Sequence, residues 1–246
     1  MAQGSVFLIG GGWNEAGFSH TYGPFAVAAG DGGRIAVVLL DDEDRDAYFG
    51  RSAAAFAAIG VTNVAPVFVS AERPLQEADV EGAAGILVGG GLTPAYHDAI
   101  VPSAGPWLRQ RVEGGMPYAG FSAGAMIAPA EGIIGGWKLG RGDDALVICS
   151  EDVSEDEEEL DVRAGIGLAP FAVDVHASQY GTPTRLMHAV RAGRVSEGWA
   201  VDEDTMIEMS NGRVSVHGLG SAYHVRPDGD ALAVTILGHG VSRDIG

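Results

Sequence analysis

Lysine is nearly missing from this chain. Lys138 is the only one among 246 residues, and the other basic side chains are arginine. Lysine-based chemistry therefore has one residue on which to rest. Cysteine is as scarce: Cys149 stands alone, which excludes an internal disulfide and makes a reducing cytoplasm the expected location. Its neighbours Val147-Ile148 read as strand and no glycine turn frames it, so Cys149 reads as a small hydrophobe rather than a nucleophile. Positive charge is scarce overall, with 15 Lys and Arg against 33 Asp and Glu and a net charge of −18. That balance excludes nucleic acid as an expected partner, because phosphate binding depends on clustered Lys and Arg. It argues equally against an anionic membrane surface. No apolar run approaches the roughly 20 residues that cross a bilayer. Met1 to Gly4 lead into a strand without a basic segment or cleavage-like site, so no signal peptide is expected.

What is present suits one α/β domain over residues 1–246, with 46% apolar residues to fill its core. Val6 to Ile9, Arg34 to Leu40, Val64 to Val69 and Gly85 to Val88 read as strands, the second continuously apolar as in a sheet covered on both faces. Asp44 to Ile59 has helical spacing and stops at Gly60, and Ala99 to Val112 reads as a helix with Pro102 and Pro106 near its start. Regular alternation predicts a doubly wound, mostly parallel sheet with functional loops at the carboxyl ends of its strands. Beyond residue 198 the chain reads as short strands, with Asn211-Gly212 as a hairpin turn, and predicts a β-rich C-terminal extension of the same sheet. Glu151 to Asp161 is an acidic run that reads as a solvated loop or helix start, and its spacing lacks the glycine-centred loop of a calcium site.

Three strand ends carry glycines: Gly10 to Gly12, Gly89 to Gly91, and Gly120 with Gly124. A nucleotide site does not follow, because Glu15 occupies the place of the third glycine in G-x-G-x-x-G and no phosphate-binding G-x-x-x-x-G-K-[ST] occurs. The third cluster is the informative one. Gly120-Phe121-Ser122-Ala123-Gly124 reads G-x-S-x-G, with a strand before it and a small, apolar helix start after it. Such a turn strains the serine backbone and lifts its hydroxyl above the sheet, and the flanking glycines relieve crowding. A nucleophilic serine needs a base. Of the seven histidines, His176 ends an apolar strand and precedes a loop, where such sheets present catalytic groups. Asp174, two residues back on the same strand, faces the same side; it suits substrate binding or loop support.

The chain resembles the serine peptidase family that contains dipeptidase E (aspartyl dipeptidase) and cyanophycinase. Phe121-Ser122-Ala123-Gly124-Ala125 is similar to that family's elbow, and Gly89-Gly90-Gly91-Leu92-Thr93 to its glycine segment. Asp174-Val175-His176 with Gly181 and Arg185-Leu186 resembles the cyanophycinase histidine motif, and Gly198 to Thr205 its G-x-G-I-D-E-x-T-A segment. The resemblance implies a class I glutamine amidotransferase-like fold with serine in place of cysteine. It implies hydrolysis of a small peptide or amide without metal or other cofactor, and, since relatives are often dimeric, a homodimer. It implies Ser122 as nucleophile, His176 as base, and Ala123 with Gly90 or Gly91 as oxyanion donors.

The departures bear on substrate and acid. The residue after the glycines is Leu92, Val175 precedes the histidine, and Tyr180 and Thr182 replace two of three arginines, leaving Arg185. Arginine forks bind carboxylates bidentately, so cyanophycin is an unfavourable substrate and a more apolar pocket of Leu92, Tyr180 and Val175 is expected, with Asp174 and Arg185 also facing substrate. In the family the acid lies between elbow and histidine. This chain offers Asp143, Asp144, Glu151 and Asp152 there, and Glu151 is favoured because Leu146 to Cys149 reads as a returning strand. An amidotransferase-like enzyme or esterase on the same elbow, or an inactive binding module, are the alternatives.

Overall fold

A computed structural model of the protein describes residues 4–142 and 144–245. The first half alternates as expected. β1 (Val6–Ile9) leads to the short helices α1 (Phe18–Thr21) and α2 (Gly23–Ala29), then β2 (Ile35–Leu40), α3 (Arg45–Ala58), β3 (Val64–Val69), β4 (Gly85–Val88), α4 (Thr93–Glu113), β5 (Tyr118–Phe121) and α5 (Ala123–Met126). The second half continues with β6 (Glu131–Gly135), β7 (Lys138–Leu139), β8 (Leu146–Val147), β9 (Asp161–Ala164), β10 (Ala172–Val175), α6 (Ala177–Tyr180) and α7 (Pro183–Arg191). It ends in β11 (Gly198–Val201), β12 (Thr205–Ser210), β13 (Arg213–Gly218), β14 (Ser221–Asp228), β15 (Ala231–Gly238) and β16 (Ser242–Asp244).

The main sheet has eight strands in the order β16-β13-β12-β1-β5-β4-β2-β3. β1, β5, β4, β2 and β3 run parallel, and β12 adds to β1 antiparallel. β1, β4 and β5 are wholly buried and β2 nearly so, which is why their sequences are apolar without alternation. β3 carries Pro66, which cannot donate to a ladder, and it takes the sheet edge. α4 is longer than its prolines suggest. It begins at Thr93-Pro94, where proline is well tolerated, and continues through Pro102 and Pro106. Tyr96, Ile100, Ala104, Leu108 and Val112 form a buried ladder at four-residue spacing, and this burial outweighs the two lost backbone bonds.

The C-terminal strands depart from the expected single sheet. β12, β13 and β16 do extend the main sheet, but β10, β11, β14 and β15 form a second, four-stranded one. β11 pairs with β10 and β14, whereas β12, three residues on, pairs with β1. The chain therefore crosses between sheets at Asp202-Glu203-Asp204. The β12–β13 turn is the expected one, with Asn211 and Gly212 at φ 51° and 73°. The stretch from Gly132 to Cys149 forms a hairpin only at β7–β8, because β6 pairs instead with β9.

Candidate active site

Ser122 has φ 52° and ψ −111°, a conformation that L-residues rarely adopt. Its N–H donates to the Ile9 carbonyl at 2.9 Å, tying the turn to β1. The two glycines of the motif are required by contact. A Cβ on Gly120 would fall on the Gly124 carbonyl, and one on Gly124 would fall on the Val88 carbonyl. The strand-turn-helix context read from the sequence thus has a steric cause.

His176 arrives from the other sheet. It follows β10 in the left-handed region, φ 52° and ψ 42°, and donates its N–H to the Gly10 carbonyl at 3.0 Å. Its Nε2 lies 2.9 Å from Ser122 Oγ. The ring packs so closely on the first glycine loop that a Cβ on Gly11 would run into its Cε1. Gly11 thus serves close approach of backbone and imidazole, while a Cβ on Gly10 or Gly12 would meet Asp202 or Asp204.

The carboxylate on the far side of the imidazole is Glu203, with Oε1 2.8 Å from His176 Nδ1. Glu151, the expected acid, is exposed in a short helical turn over Glu151–Val153, and its carboxylate does not meet His176. Asp144 is exposed near the β7–β8 hairpin, Asp152 accepts a hydrogen bond from Ser150 Oγ, and Asp143 lies outside the described residues. Glu203 follows the histidine in the chain, so a search between elbow and histidine passes it by. Its signal is the segment Gly198 to Thr205, whose Asp202-Glu203 pair sits where the chain changes sheets.

That crossing is firmly held. Asp202 is buried; its Oδ1 accepts from Ser178 N–H and its Oδ2 from Ser221 N–H, both at 2.8 Å. Glu203 N–H donates to Gln179 Oε1 at 3.0 Å. Asp204 Oδ1 accepts from Asn14 N–H, and Asp204 N–H donates to the Gly11 carbonyl.

Ser122 and His176 line a cleft of about 490 Å³, with Trp13, Tyr48, Phe121 and Tyr180 among its walls. Gly90 N–H donates to Tyr48 Oη at 2.8 Å, while Gly91 sits at φ 147° on the cleft. Ala123 opens α5, so its N–H has no acceptor within the helix. Tyr180 is half exposed and meets the His176 ring edge-on at 5.4 Å. Leu92 does not line this cleft; it is exposed just before α4 and faces a separate hollow with Asp98.

Asp174 and Arg185 pair with each other beneath the cleft. Arg185 Nε and Nη2 donate to the two Asp174 oxygens at 2.8 and 2.7 Å, and both residues are buried. The remaining Arg185 nitrogen donates to the Val153 carbonyl at 2.6 Å and so anchors the acidic run against the site. That run is a cleft wall as well as a solvated loop: Asp152, Glu155 and Asp156 all line it. Glu155 Oε2 accepts from Thr93 N–H at 2.9 Å. Burial pushes the Glu155 carboxyl above its ordinary range, against the opposing pull of that hydrogen bond and of Arg185 and His176. Burial also raises the Cys149 thiol, in keeping with a packing residue.

Comparison with known families gives a match to peptidase family S51 over residues 27–217. The chain belongs to peptidase family S51. It is a serine peptidase, and this family holds dipeptidase E and cyanophycinase. Among solved structures it is similar to a peptidase from an acI-B1 Actinobacterium, at 16% identity and TM-score 0.67, over 99% of this chain and 98% of that one. It is also similar to a putative peptidase E protein from Listeria monocytogenes EGD-e, at 16% identity and TM-score 0.60, over 89% of this chain and 100% of the other. At that identity the likeness shows a shared fold. No curated protein matches the chain. Among the described residues no helix is long and apolar enough to cross a membrane.

Proposed function

We propose that Ser122, His176 and Glu203 form the catalytic triad of this S51 peptidase and that it cleaves small peptides, dipeptides among them, in the cytoplasm. The observation that carries the reading is the continuous line from Ser122 Oγ to His176 Nε2 to Glu203 Oε1, at 2.9 and 2.8 Å. With Glu203 accepting from Nδ1–H, Nε2 is free to accept the serine proton. Ser122 Oγ attacks the peptide carbonyl as its proton passes to Nε2. The oxyanion is received by the N–H groups of Ala123 and Gly91, since the Gly90 N–H is engaged by Tyr48. Collapse expels the amine, which takes the proton from Nε2. Water then repeats the sequence on the acyl-serine and frees Ser122.

Residues 1–246 act in this reading as one catalytic unit, because one sheet carries Ser122 and the other His176. The test is labelling by a neutral fluorophosphonate, followed by hydrolysis of a dipeptide panel beside simple p-nitrophenyl esters. Labelling lost in Ser122→Ala, with turnover of peptides above esters, is the expected result. Unlabelled but folded wild-type protein would favour an inactive binding module instead.

A further inference from the structure

Two features in or beside the cleft are suited to receiving an anionic side chain, and the protein's own carboxylates occupy both. The amino end of α4, where backbone N–H groups and the helix dipole favour negative charge, already holds Glu155 through the Thr93 N–H at 2.9 Å. The guanidinium of Arg185, the one arginine lining the cleft among the described residues, is buried and forked onto Asp174. Its remaining nitrogen is given to the Val153 carbonyl. Arg51, near the rim, lies over the rings of Trp13 and Tyr48, 5.3 and 5.0 Å from their centroids. An acidic substrate side chain thus finds each nearby cation already engaged.

The same cleft offers a cation much. Asp152, Glu155 and Asp156 line one wall, with Asp152 and Asp156 exposed. Glu155 and Asp156 hold consecutive left-handed conformations, φ 57° and 64°, a strained geometry that fixes this wall over the site. The other walls are aromatic, and ring faces attract cations electrostatically. Carboxylates in a low-dielectric cleft raise the local concentration of positive ligands and repel negative ones.

We infer that this cleft selects peptides whose acyl-donating residue carries a positively charged side chain, lysyl or arginyl, and rejects acidic side chains at that position. The inference rests on the reading of Ser122 as nucleophile, and its test separates the two. Equilibrium binding of Lys-Ala, Ala-Ala and Asp-Ala dipeptide amides is measured on Ser122→Ala protein by calorimetry, and their hydrolysis on wild-type protein. The Lys peptide is expected to bind at least about 10-fold more tightly than the Asp peptide at low salt, with the gap shrinking several-fold at about 0.5 M NaCl. Asp152→Asn with Asp156→Asn is expected to narrow the Lys-over-Asp ratio about 5-fold. Equal or tighter binding of the Asp peptide overturns the inference, whether or not any peptide is cleaved. The expected order of binding without hydrolysis of any peptide supports the cleft selectivity and overturns the nucleophile reading alone.

Discussion

Glu203 Oε1 lies 2.8 Å from His176 Nδ1, although 27 residues and a change of sheet separate the two. The contact exists because β11 continues the sheet that ends in His176, while β12 returns to the sheet that carries Ser122. The middle residue of the crossing is thereby delivered to the imidazole.

Glu203→Gln is therefore expected to lower kcat by about 10²–10⁴, since an amide at this place disfavours the required tautomer and cannot stabilise the imidazolium. Glu151→Gln is expected to change kcat by less than about twofold, as exposed positions away from the reacting atoms do. Steady-state hydrolysis of one dipeptide by both variants checks the assignment, and the reverse order of effects would restore Glu151.

Gly11→Ala places a methyl against the His176 ring at a backbone φ of 103°. The ring has to move, and displacements of about 1 Å in a catalytic group cost on the order of 10² in rate. The backbone strain adds about 1–3 kcal/mol of destabilisation. Activity measured well below the melting temperature, beside a urea titration, separates the two effects. Unchanged activity in a destabilised variant would show that the ring is free to shift.

Glu155 gives stability a pH signature. Burial raises its folded-state pKa above the unfolded value. Protonation thus favours the folded state, and its contribution is present below the unfolded pKa, about 4.3, and is lost as pH rises through the folded one. Glu155→Gln removes the cost of the buried charge. The variant is expected to match wild type near pH 4 and to melt at a higher temperature near pH 7.5. Melting curves at the two pH values check this, and an equal shift at both would show that ionisation of Glu155 is not the cause.

Arg185→Met leaves Asp174 buried without its partner and is expected to cost about 3–5 kcal/mol. It also frees the Val153 carbonyl, so KM is expected to rise as the acidic wall loosens. The double variant Arg185→Met with Asp174→Leu removes both charges and is expected to recover most of the stability but not the KM. Urea unfolding and steady-state kinetics on the same preparations read both quantities.

That Ser122 and His176 each stand at the end of an apolar strand could be read from the chain, because local pattern alone marks such ends. The parallel half of the main sheet was legible for the same reason. The division of the C-terminal strands was not. Alternation shows that a strand has one covered face, but not which of two sheets supplies the cover. Glu203 depends on that choice, and its segment was visible without its role. The wall at Asp152 to Asp156 was hidden by composition. A dense acidic run reads as solvated, and it is long-range hydrogen bonds, among them Arg185 to Val153 and Thr93 to Glu155, that fold it over the cleft.

The division of Ser122 and His176 between two sheets makes the hydrogen bond that joins them a gauge of how tightly those sheets are docked. A separation of an ångström or two, too slight to disturb either ladder, is enough to part hydroxyl from imidazole. On gentle heating or in dilute urea, turnover should therefore fade while circular dichroism remains native.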